Sequence, residues 1–299
     1  MKSRCTRLLV LLFGLGLLLL PEQSSAGASD ALLQWYRNVL PVLLPFILLA
    51  RLVSALFPLS QKRRAQSICL MGFLCGYPMG AILTGNEVRD GRLSAREGQW
   101  LVCLCNLPSP AFLTGLVAAQ WLHLTRSLRL PAAVWSASAL CGLLLSVFRR
   151  KGEIMPGQTL RCTDDTSPDP VSLSPALLEE AWMESCRSAV LIGCYMILFG
   201  IFSSWLTALP ALPETVRVPA LLLCEITTGC RAVAESTFPL PVKEMLCAAG
   251  AAFGGLSCLA QTSGCLHDTG IRLKSYAGGR ILTAILAALL DLGLQVLFP

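Results

Sequence analysis

One carboxylate stands inside an apolar segment of this 299-residue chain. Glu225 follows the uncharged run Val218–Cys224 and precedes Thr227, Thr228 and Gly229. Ionisable side chains at membrane depth are rare, and by default they mark a substrate, proton or ion pathway. The alternative is that Glu225 is solvated at the mouth of a hairpin or caps a helix. We take Glu225, Thr227 and Thr228 as candidate substrate-binding residues.

Polar or helix-breaking residues interrupt three other apolar segments. In the run Cys75–Gly80, glycine and proline break a helix, since proline lacks an amide donor. The runs Asn106–Pro110 and Gln261–Gly264 carry amides and hydroxyls. The further candidate substrate-binding residues at these interruptions are Tyr77, Pro78, Asn106, Ser109, Gln261, Thr262 and Ser263. Broken helices expose backbone N–H groups at their N-terminal ends, which favours an anionic solute such as a carboxylate.

The composition indicates that lipid surrounds these segments. Hydrophobic residues make up 54% of the chain and charged residues 14%, whereas soluble domains carry about 25% charged residues. Two basic clusters, Lys62–Arg64 and Arg149–Lys151, stand beside apolar runs. Positive residues accumulate on the cytoplasmic side of a membrane, and nucleic-acid binding would require a basic face on a soluble module. We therefore expect a membrane protein that binds no nucleic acid.

Catalytic and metal-binding patterns are absent from the sequence. It contains no P-loop, nucleophile elbow, H-E-x-x-H or dinucleotide-binding glycine motif. Its 14 cysteines include no C-x-x-C pair, and the two histidines, His123 and His267, lie far apart, so no zinc-like ligand set forms. A free cysteine in an apolar run behaves as a small hydrophobic residue. The sequence thus predicts no enzyme, no metal site and no cofactor.

The apolar runs predict an all-α polytopic membrane protein, built as an inverted repeat of transmembrane helices. Each half contains a span, a re-entrant hairpin of broken helices, a span with a polar interruption and a final span. The hairpins are Ser67–Gly85 and Val218–Val233, and non-helical backbone at that depth must face protein or a cavity. Counting crossings places the basic residues Arg272, Lys274 and Arg280 in the cytoplasm. Paired broken segments in inverted halves point to a transport site near the membrane midplane.

The predicted boundaries divide the chain into parts of different character. They are 1–28, a signal peptide or signal-anchor helix; 35–150, the first half; 151–187, a cytoplasmic linker with an amphipathic helix; and 188–299, the inverted second half. The signal is indicated by a basic start, thirteen apolar residues and the small residues Ala26–Ala28. Within the first half, the polar stretch Asn86–Gly98 is predicted to form a surface helix.

Three sets of residues resemble those of the YlbJ family of sporulation integral membrane proteins. The residues that resemble its first signature are Gly72–Ala81, Cys105-Asn106 and Ser109-Pro110. The residues that resemble its second signature are Glu225–Gly229, Phe253–Ser257 and Gln261. The residues that resemble the segment before the first signature are Arg37–Pro41 and Leu44–Phe46. The resemblance covers the chain from Trp35 to its C-terminus.

The resemblance implies membership of the wider nucleoside-recognition, or Gate, domain group, which is similar to concentrative nucleoside carriers. It further implies a multi-pass protein of an endospore-forming bacterium, in the cell membrane or a forespore membrane, with dipicolinic acid as its solute. We therefore expect a protein that lies in the lipid bilayer and transports, or facilitates the passage of, a small anionic metabolite. The alternatives are a non-transporting component of spore envelope assembly and a nucleoside transporter, and a homo-oligomer is left open.

Overall fold

A computed structural model describes residues 2–56, 61–124, 128–150, 172–209 and 212–297. These residues form helices and include no strand. The α-helices before the linker are α1 (Lys2–Leu19), α2 (Pro21–Gln34), α3 (Leu40–Leu56), α4 (Gln61–Cys75), α5 (Met79–Arg89), α6 (Ala95–Cys105) and α7 (Arg129–Arg150). Those after it are α8 (Pro175–Thr207), α9 (Glu214–Cys224), α10 (Ile226–Glu235), α11 (Leu240–Phe253), α12 (Gly255–Cys265) and α13 (Leu273–Leu297). Two π-helices are Trp35–Val39 and Ala111–Trp121.

Several helices have the length and apolarity of membrane spans. Among the described residues, the stretches that could cross a membrane are Arg129–Ser146, Pro175–Thr207, Leu240–Cys265 and Leu273–Leu297. The bent pair Val10–Leu19 and Pro21–Val39 would add a fifth. Large apolar side chains point out of the bundle, as Leu289 (61% exposed) and Val296 (82%) do on α13. The predicted all-α polytopic membrane protein is therefore confirmed.

The two halves repeat one order of elements. A long helix is followed by two broken pairs and a second long helix: α3, α4–α5, α6 with the second π-helix, and α7; then α8, α9–α10, α11–α12 and α13. Their contacts correspond as well. Helix α3 packs on α8 and α7 on α13, while α5 contacts α12 as α10 contacts the second π-helix. Such matched packing agrees with the predicted inverted repeat.

Glycine residues with positive φ define two of the breaks. Gly76, between α4 and α5, has φ of +80°, and Gly254, between α11 and α12, has φ of +89°. Residues with a Cβ rarely adopt this conformation. The interruption of the last broken span was predicted at Gln261–Gly264, but those residues lie within α12. The break falls earlier because Gly254 and Gly255 both have positive φ and end the helical path.

The N-terminal segment packs against the second half. The helices on either side of Pro21 meet at a bend of 104°, and α2 then lies along α8. The two backbones touch where small residues meet, because a Cβ on Gly27 would lie 2.7 Å from the carbonyl oxygen of Gly200. Helix α2 continues unbroken through the small residues Ala26–Ala28. The signal peptide or anchor over 1–28 stays a prediction.

The predicted linker 151–187 is only partly described. Residues 151–171 lie outside the described part of the chain. From Pro175 onward the chain is one helix to Thr207, so the predicted amphipathic helix and the span after it are continuous. Ser174 begins this helix, since its side chain accepts a hydrogen bond from the amide of Leu177 at 3.2 Å.

The predicted surface helix over Asn86–Gly98 is wrong. Helix α5 continues to Arg89, and after a turn α6 begins at Ala95. The reason is a capping box: the Ser94 amide donates to the Glu97 carboxylate at 2.9 Å, and the Glu97 amide donates to the Ser94 hydroxyl at 3.2 Å. The polar stretch therefore comprises the end of α5, the turn after it and the start of α6.

Candidate functional site

The two hairpin tips meet at a cavity of about 430 Å³. Its wall contains predicted residues from both halves, namely Tyr77, Ser109, Glu225, Thr227 and Gln261. Small-molecule sites are typically concave, mostly apolar and about 300–1,000 Å³ in volume. The cavity fits that description, since apolar side chains make up most of the remaining wall.

Glu225 forms the tip of the second hairpin. Helix α9 ends at Cys224, and Glu225 is extended, with φ of −147° and ψ of 127°. Its carboxylate accepts hydrogen bonds from the amides of Thr227 at 3.0 Å and Thr228 at 2.7 Å, so it caps α10. Glu225 is only 3% exposed. The side chain thus caps a helix and also lines the cavity, and it occupies amides that the sequence argument had offered to an anionic solute.

The tip of the first hairpin has no charged residue. Gly76 packs against Ser109, which lies in the break between α6 and the second π-helix. A Cβ on Gly76 would be 2.5 Å from the backbone nitrogen of Ser109. The Ser109 hydroxyl accepts a hydrogen bond from the amide of Phe112 at 3.2 Å, near the start of the second π-helix. Tyr77 follows Gly76 and lines the cavity. This wall therefore offers hydroxyl and aromatic groups to a solute.

Asn106 joins the two halves and does not line the cavity. It is fully buried, and its Oδ1 accepts a hydrogen bond from the amide of Ala81 at 3.3 Å. Its Nδ2 donates to the hydroxyls of Thr262 at 3.0 Å and Tyr276 at 2.8 Å. Two predicted binding residues, Asn106 and Thr262, thus bond to each other behind the cavity wall.

Arg280 is a buried residue that the sequence argument misplaced. It was counted with the cytoplasmic basic residues, but α13 begins at Leu273 and Arg280 is fully buried within it. Its Nη2 donates to the hydroxyl of Tyr77 at 2.8 Å and to the carbonyl of Ala252, and its Nη1 donates to the carbonyl of Cys103 at 3.4 Å. Its guanidinium carbon lies 5.7 Å from the centroid of the Tyr77 ring.

The partners of Arg280 explain why a cation is stable there. Cys103 lies in the last turn of α6 and Ala252 in the last turn of α11, so one guanidinium meets the C-terminal ends of both broken helices. A helix C-terminus carries partial negative charge and favours a cation. The sequence signal for this position was that Arg280 lies between the uncharged residues Ser275–Gly279 and the apolar run that begins at Ile281.

Two polar residues at the mouth of the cavity were also missed as site residues. Arg37 and Asn38 line it and are exposed, in the π-helix that leads into α3. Both belong to the segment that resembles the family's region before its first signature, which supplied a signal. The cavity therefore combines the buried carboxyl group of Glu225 with the guanidinium of Arg37 at its mouth.

The remaining predicted residues lie elsewhere. The Pro78 carbonyl accepts backbone hydrogen bonds from Ala81 and Ile82 at the start of α5. Thr228 lines a second cavity of about 520 Å³ among α2, α8, α9 and α10. Ser263 is exposed and lines neither cavity. Consecutive residues of α10, Thr227 and Thr228, thus face the first and the second cavity respectively.

Comparison with known proteins identifies a relative. No family model matches the chain, and no solved structure matches it. The chain is 27% identical over 318 aligned positions to the sporulation integral membrane protein YlbJ of Bacillus subtilis (strain 168). The similarity covers 90% of this chain and 76% of that protein. The resemblance found in the signature segments is thereby confirmed: this multi-pass membrane protein is similar to YlbJ over most of its length.

Proposed function

We propose that this protein is a transporter or facilitator of a small anionic metabolite and that the solute binds in the first cavity. The candidate solute is dipicolinic acid. The candidate setting is sporulation, and the name of the Bacillus subtilis relative supports this setting. The groups around the cavity would bind the solute and cap helices, and none of them is given a catalytic role.

One observation carries this proposal: the breaks of both halves converge on one cavity. In transporters built from inverted repeats, discontinuous helices meet at the solute site near the membrane midplane. Here the first half contributes Tyr77 and Ser109, and the second contributes Glu225, Thr227 and Gln261. Neither half alone encloses the cavity.

The charges around the cavity define how an anionic solute would bind. Arg37 is the cation at its mouth, and Arg280 lies behind the ring of Tyr77. A carboxylate of the solute is expected next to Arg37 and away from the carboxylate of Glu225, because like charges repel. Glu225 would thereby fix the orientation of the solute in the cavity.

Uptake by reconstituted vesicles tests this proposal. Radiolabelled dipicolinate and a nucleoside are offered side by side to the wild-type protein and to Arg37→Gln. We expect uptake of dipicolinate, and we expect Arg37→Gln to raise its KM about tenfold, the effect of losing one charge-assisted contact. The matched control is Arg231→Gln, since Arg231 is 57% exposed and pairs with Glu235 outside the first cavity.

Glu225→Gln and Asn106→Ala separate binding from architecture. Glu225→Gln keeps one of the two oxygens that accept the amides of Thr227 and Thr228, so α10 keeps one capping bond and the protein should stay folded while uptake falls at least about tenfold through the lost orienting charge. Asn106→Ala removes three buried hydrogen bonds and should lower the free energy of unfolding by about 2–3 kcal/mol. Full uptake by Glu225→Gln would contradict the site.

The alternatives give different results in the same vesicles. Uptake of the nucleoside alone would identify a nucleoside transporter. Absence of uptake and of thermal stabilisation with either solute, in correctly folded protein, would favour a non-transporting component of spore envelope assembly.

A further inference from the structure

A second group of charged side chains lies inside the bundle and lines neither cavity. Arg129 begins α7, Glu244 lies in α11 and Asp291 lies in α13. Glu244 is 1% exposed and Asp291 is fully buried. Neither carboxylate was among the predicted site residues, although both interrupt apolar runs.

The cluster contains one strong ion pair and one incompletely bonded acid. Nε and Nη2 of Arg129 both donate to Oε2 of Glu244, at 3.0 and 2.5 Å. Oδ2 of Asp291 accepts a hydrogen bond from the amide of Gln295 at 2.6 Å. Oδ1 of Asp291 is buried and has no hydrogen-bond partner.

The charges of the described residues around Asp291 do not balance if both acids are ionised. Arg129 faces it from α7 and Glu244 faces it from α11, and on its own helix the neighbour is the neutral Gln295. One guanidinium already neutralises Glu244, so an ionised Asp291 would leave an unpaired negative charge in the protein interior. Burying such a charge is far more costly than burying the neutral acid.

The described surroundings suit a proton better than a metal ion. Cations such as Ca²⁺ need six or more oxygen ligands and Mg²⁺ needs an octahedron of them. Among the described residues, no group of three or more histidine, cysteine or acidic side chains is arranged to hold a metal ion. A single proton on Oδ1 removes the charge and needs no further ligand.

We propose that Asp291 binds a proton in the folded protein, and that this proton is the coupling ion of transport. The first statement stands on the cluster alone, and the second rests on the proposed function. The link between the two is α13, because Arg280 lies eleven residues before Asp291, about 16 Å along the helix. Arg280 bonds to Ala252 of α11 and Asp291 faces Glu244 of the same helix, whose C-terminal end forms one of the breaks near the cavity. A shift of α11 relative to α13 would therefore alter the surroundings of Asp291 and the shape of the cavity at the same time.

Infrared spectroscopy of the purified protein tests proton binding without any transport assay. At neutral pH we expect a carbonyl band of a protonated carboxylic acid that Asp291→Asn removes. The matched control is Glu235→Gln, which removes an exposed carboxylate (64% exposed) and should leave the band unchanged. If Asp291→Asn keeps the full band, Asp291 carries no proton and the proposal is overturned.

A second variant guards against a folding defect in Asp291→Asn. Glu244→Gln removes one negative charge beside Asp291 and keeps the guanidinium of Arg129, so the positive charge that faces Asp291 is no longer neutralised by Glu244 and Asp291 should ionise. The band should then disappear although the carboxyl group of Asp291 is still present. Persistence of the band in Glu244→Gln would contradict the charge balance on which the proposal depends.

Vesicle uptake tests the coupling separately. With dipicolinate as the solute, the ratio of uptake with an inward proton gradient to uptake without one should exceed one in wild type and fall to one in Asp291→Asn. A wild-type ratio of one with the infrared band intact would overturn coupling alone. Absence of wild-type uptake with the band intact would overturn the proposed function, and the proton site would stand.

Discussion

The two hairpin tips occupy corresponding places in the two halves but are built by different means. At the first tip, the backbone of Gly76, with φ of +80°, packs directly on Ser109. At the second tip, the carboxylate of Glu225 caps the helix that follows. The first tip is thus held by backbone contact and is uncharged, whereas the second is held by a charged side chain that also faces the cavity.

This difference shows that a repeated architecture does not require repeated chemistry. Both tips must end one helix and begin another inside the bundle, where backbone groups need partners within the protein. A close glycine contact and a capping carboxylate both meet that need. Of the two tips, only the second places a charge on the cavity wall, and the charge that the first half contributes, Arg37, lies at the mouth of the cavity.

The largest effect is expected from Arg280→Gln, because it affects the broken helices of both halves at once. The substitution removes charge-assisted hydrogen bonds to Tyr77, Ala252 and Cys103. Such bonds contribute about 1.5–3 kcal/mol each, and the amide of the new Gln can replace one of the three, so the free energy of unfolding should fall by about 3–6 kcal/mol. Denaturant unfolding in detergent micelles measures it.

A matched arginine provides the control for this prediction. Arg231 and Glu235 form an ion pair on the surface of α10, with side chains 57% and 64% exposed. Arg231→Gln should lower the free energy of unfolding by less than about 1 kcal/mol. Similar losses of unfolding free energy in the two variants would show that Arg280 does not stabilise the broken helices.

The next largest effect is expected at the first tip. In Gly76→Ala, the new Cβ would lie 2.5 Å from the backbone nitrogen of Ser109 at a positive φ. We expect the free energy of unfolding to fall by about 3 kcal/mol or more, from strain and displacement together. Gly91→Ala is the control, because Gly91 also has positive φ, +69°, but nothing within 4 Å of its Cβ position. It should cost only about 1–2 kcal/mol. Equal losses would mean that the positive φ alone, and not the contact with Ser109, accounts for the loss of stability in Gly76→Ala.

The smallest effect is expected outside the membrane-spanning segments, at the base of the second hairpin. There the hydroxyl and the amide of Thr237 donate to the Glu214 carboxylate, at 2.6 and 2.9 Å, and these bonds lower the pKa of Glu214. A lowered pKa in the folded state stabilises the protein above the ordinary glutamate pKa of about 4.3 and loses that contribution as the pH falls below it.

Thermal unfolding of Glu214→Gln against wild type measures this effect. The wild type should have a slightly higher midpoint at pH 7, and the difference should shrink as the pH is lowered through about 4. Thr237→Val, which removes the hydroxyl donor, should reduce the same difference. A gap that widens in acid would contradict the sign of the pKa shift.

The membrane class and the positions of the tips could be predicted from the sequence, because both depend on local residue types. Long apolar runs require lipid, and within them the tip at Gly76 stands out as a glycine–proline run and the tip at Glu225 as a carboxylate followed by two threonines and a glycine. The break at Gly254 was not placed correctly, because glycines in a membrane helix also serve close packing. The capping box of Ser94 and Glu97 was a sequence signal that the surface-helix interpretation overlooked.

The roles of individual side chains depended on contacts between distant segments. Asn106 and Thr262 are polar residues in apolar runs, as are Ser109 and Gln261, yet the first two bond to each other and the second two line the cavity. Local sequence cannot distinguish these outcomes, since each depends on which helix lies opposite.

The sequence by itself determined that this protein is helical, lies in a membrane and resembles the YlbJ family, because composition and local motifs carry that information. Only the tertiary structure decided that Arg280 joins the ends of two broken helices and that Asp291 lies beside an ion pair. The physical reason is that the charge balance of a buried group depends on partners from other helices, which residue spacing along one chain does not reveal.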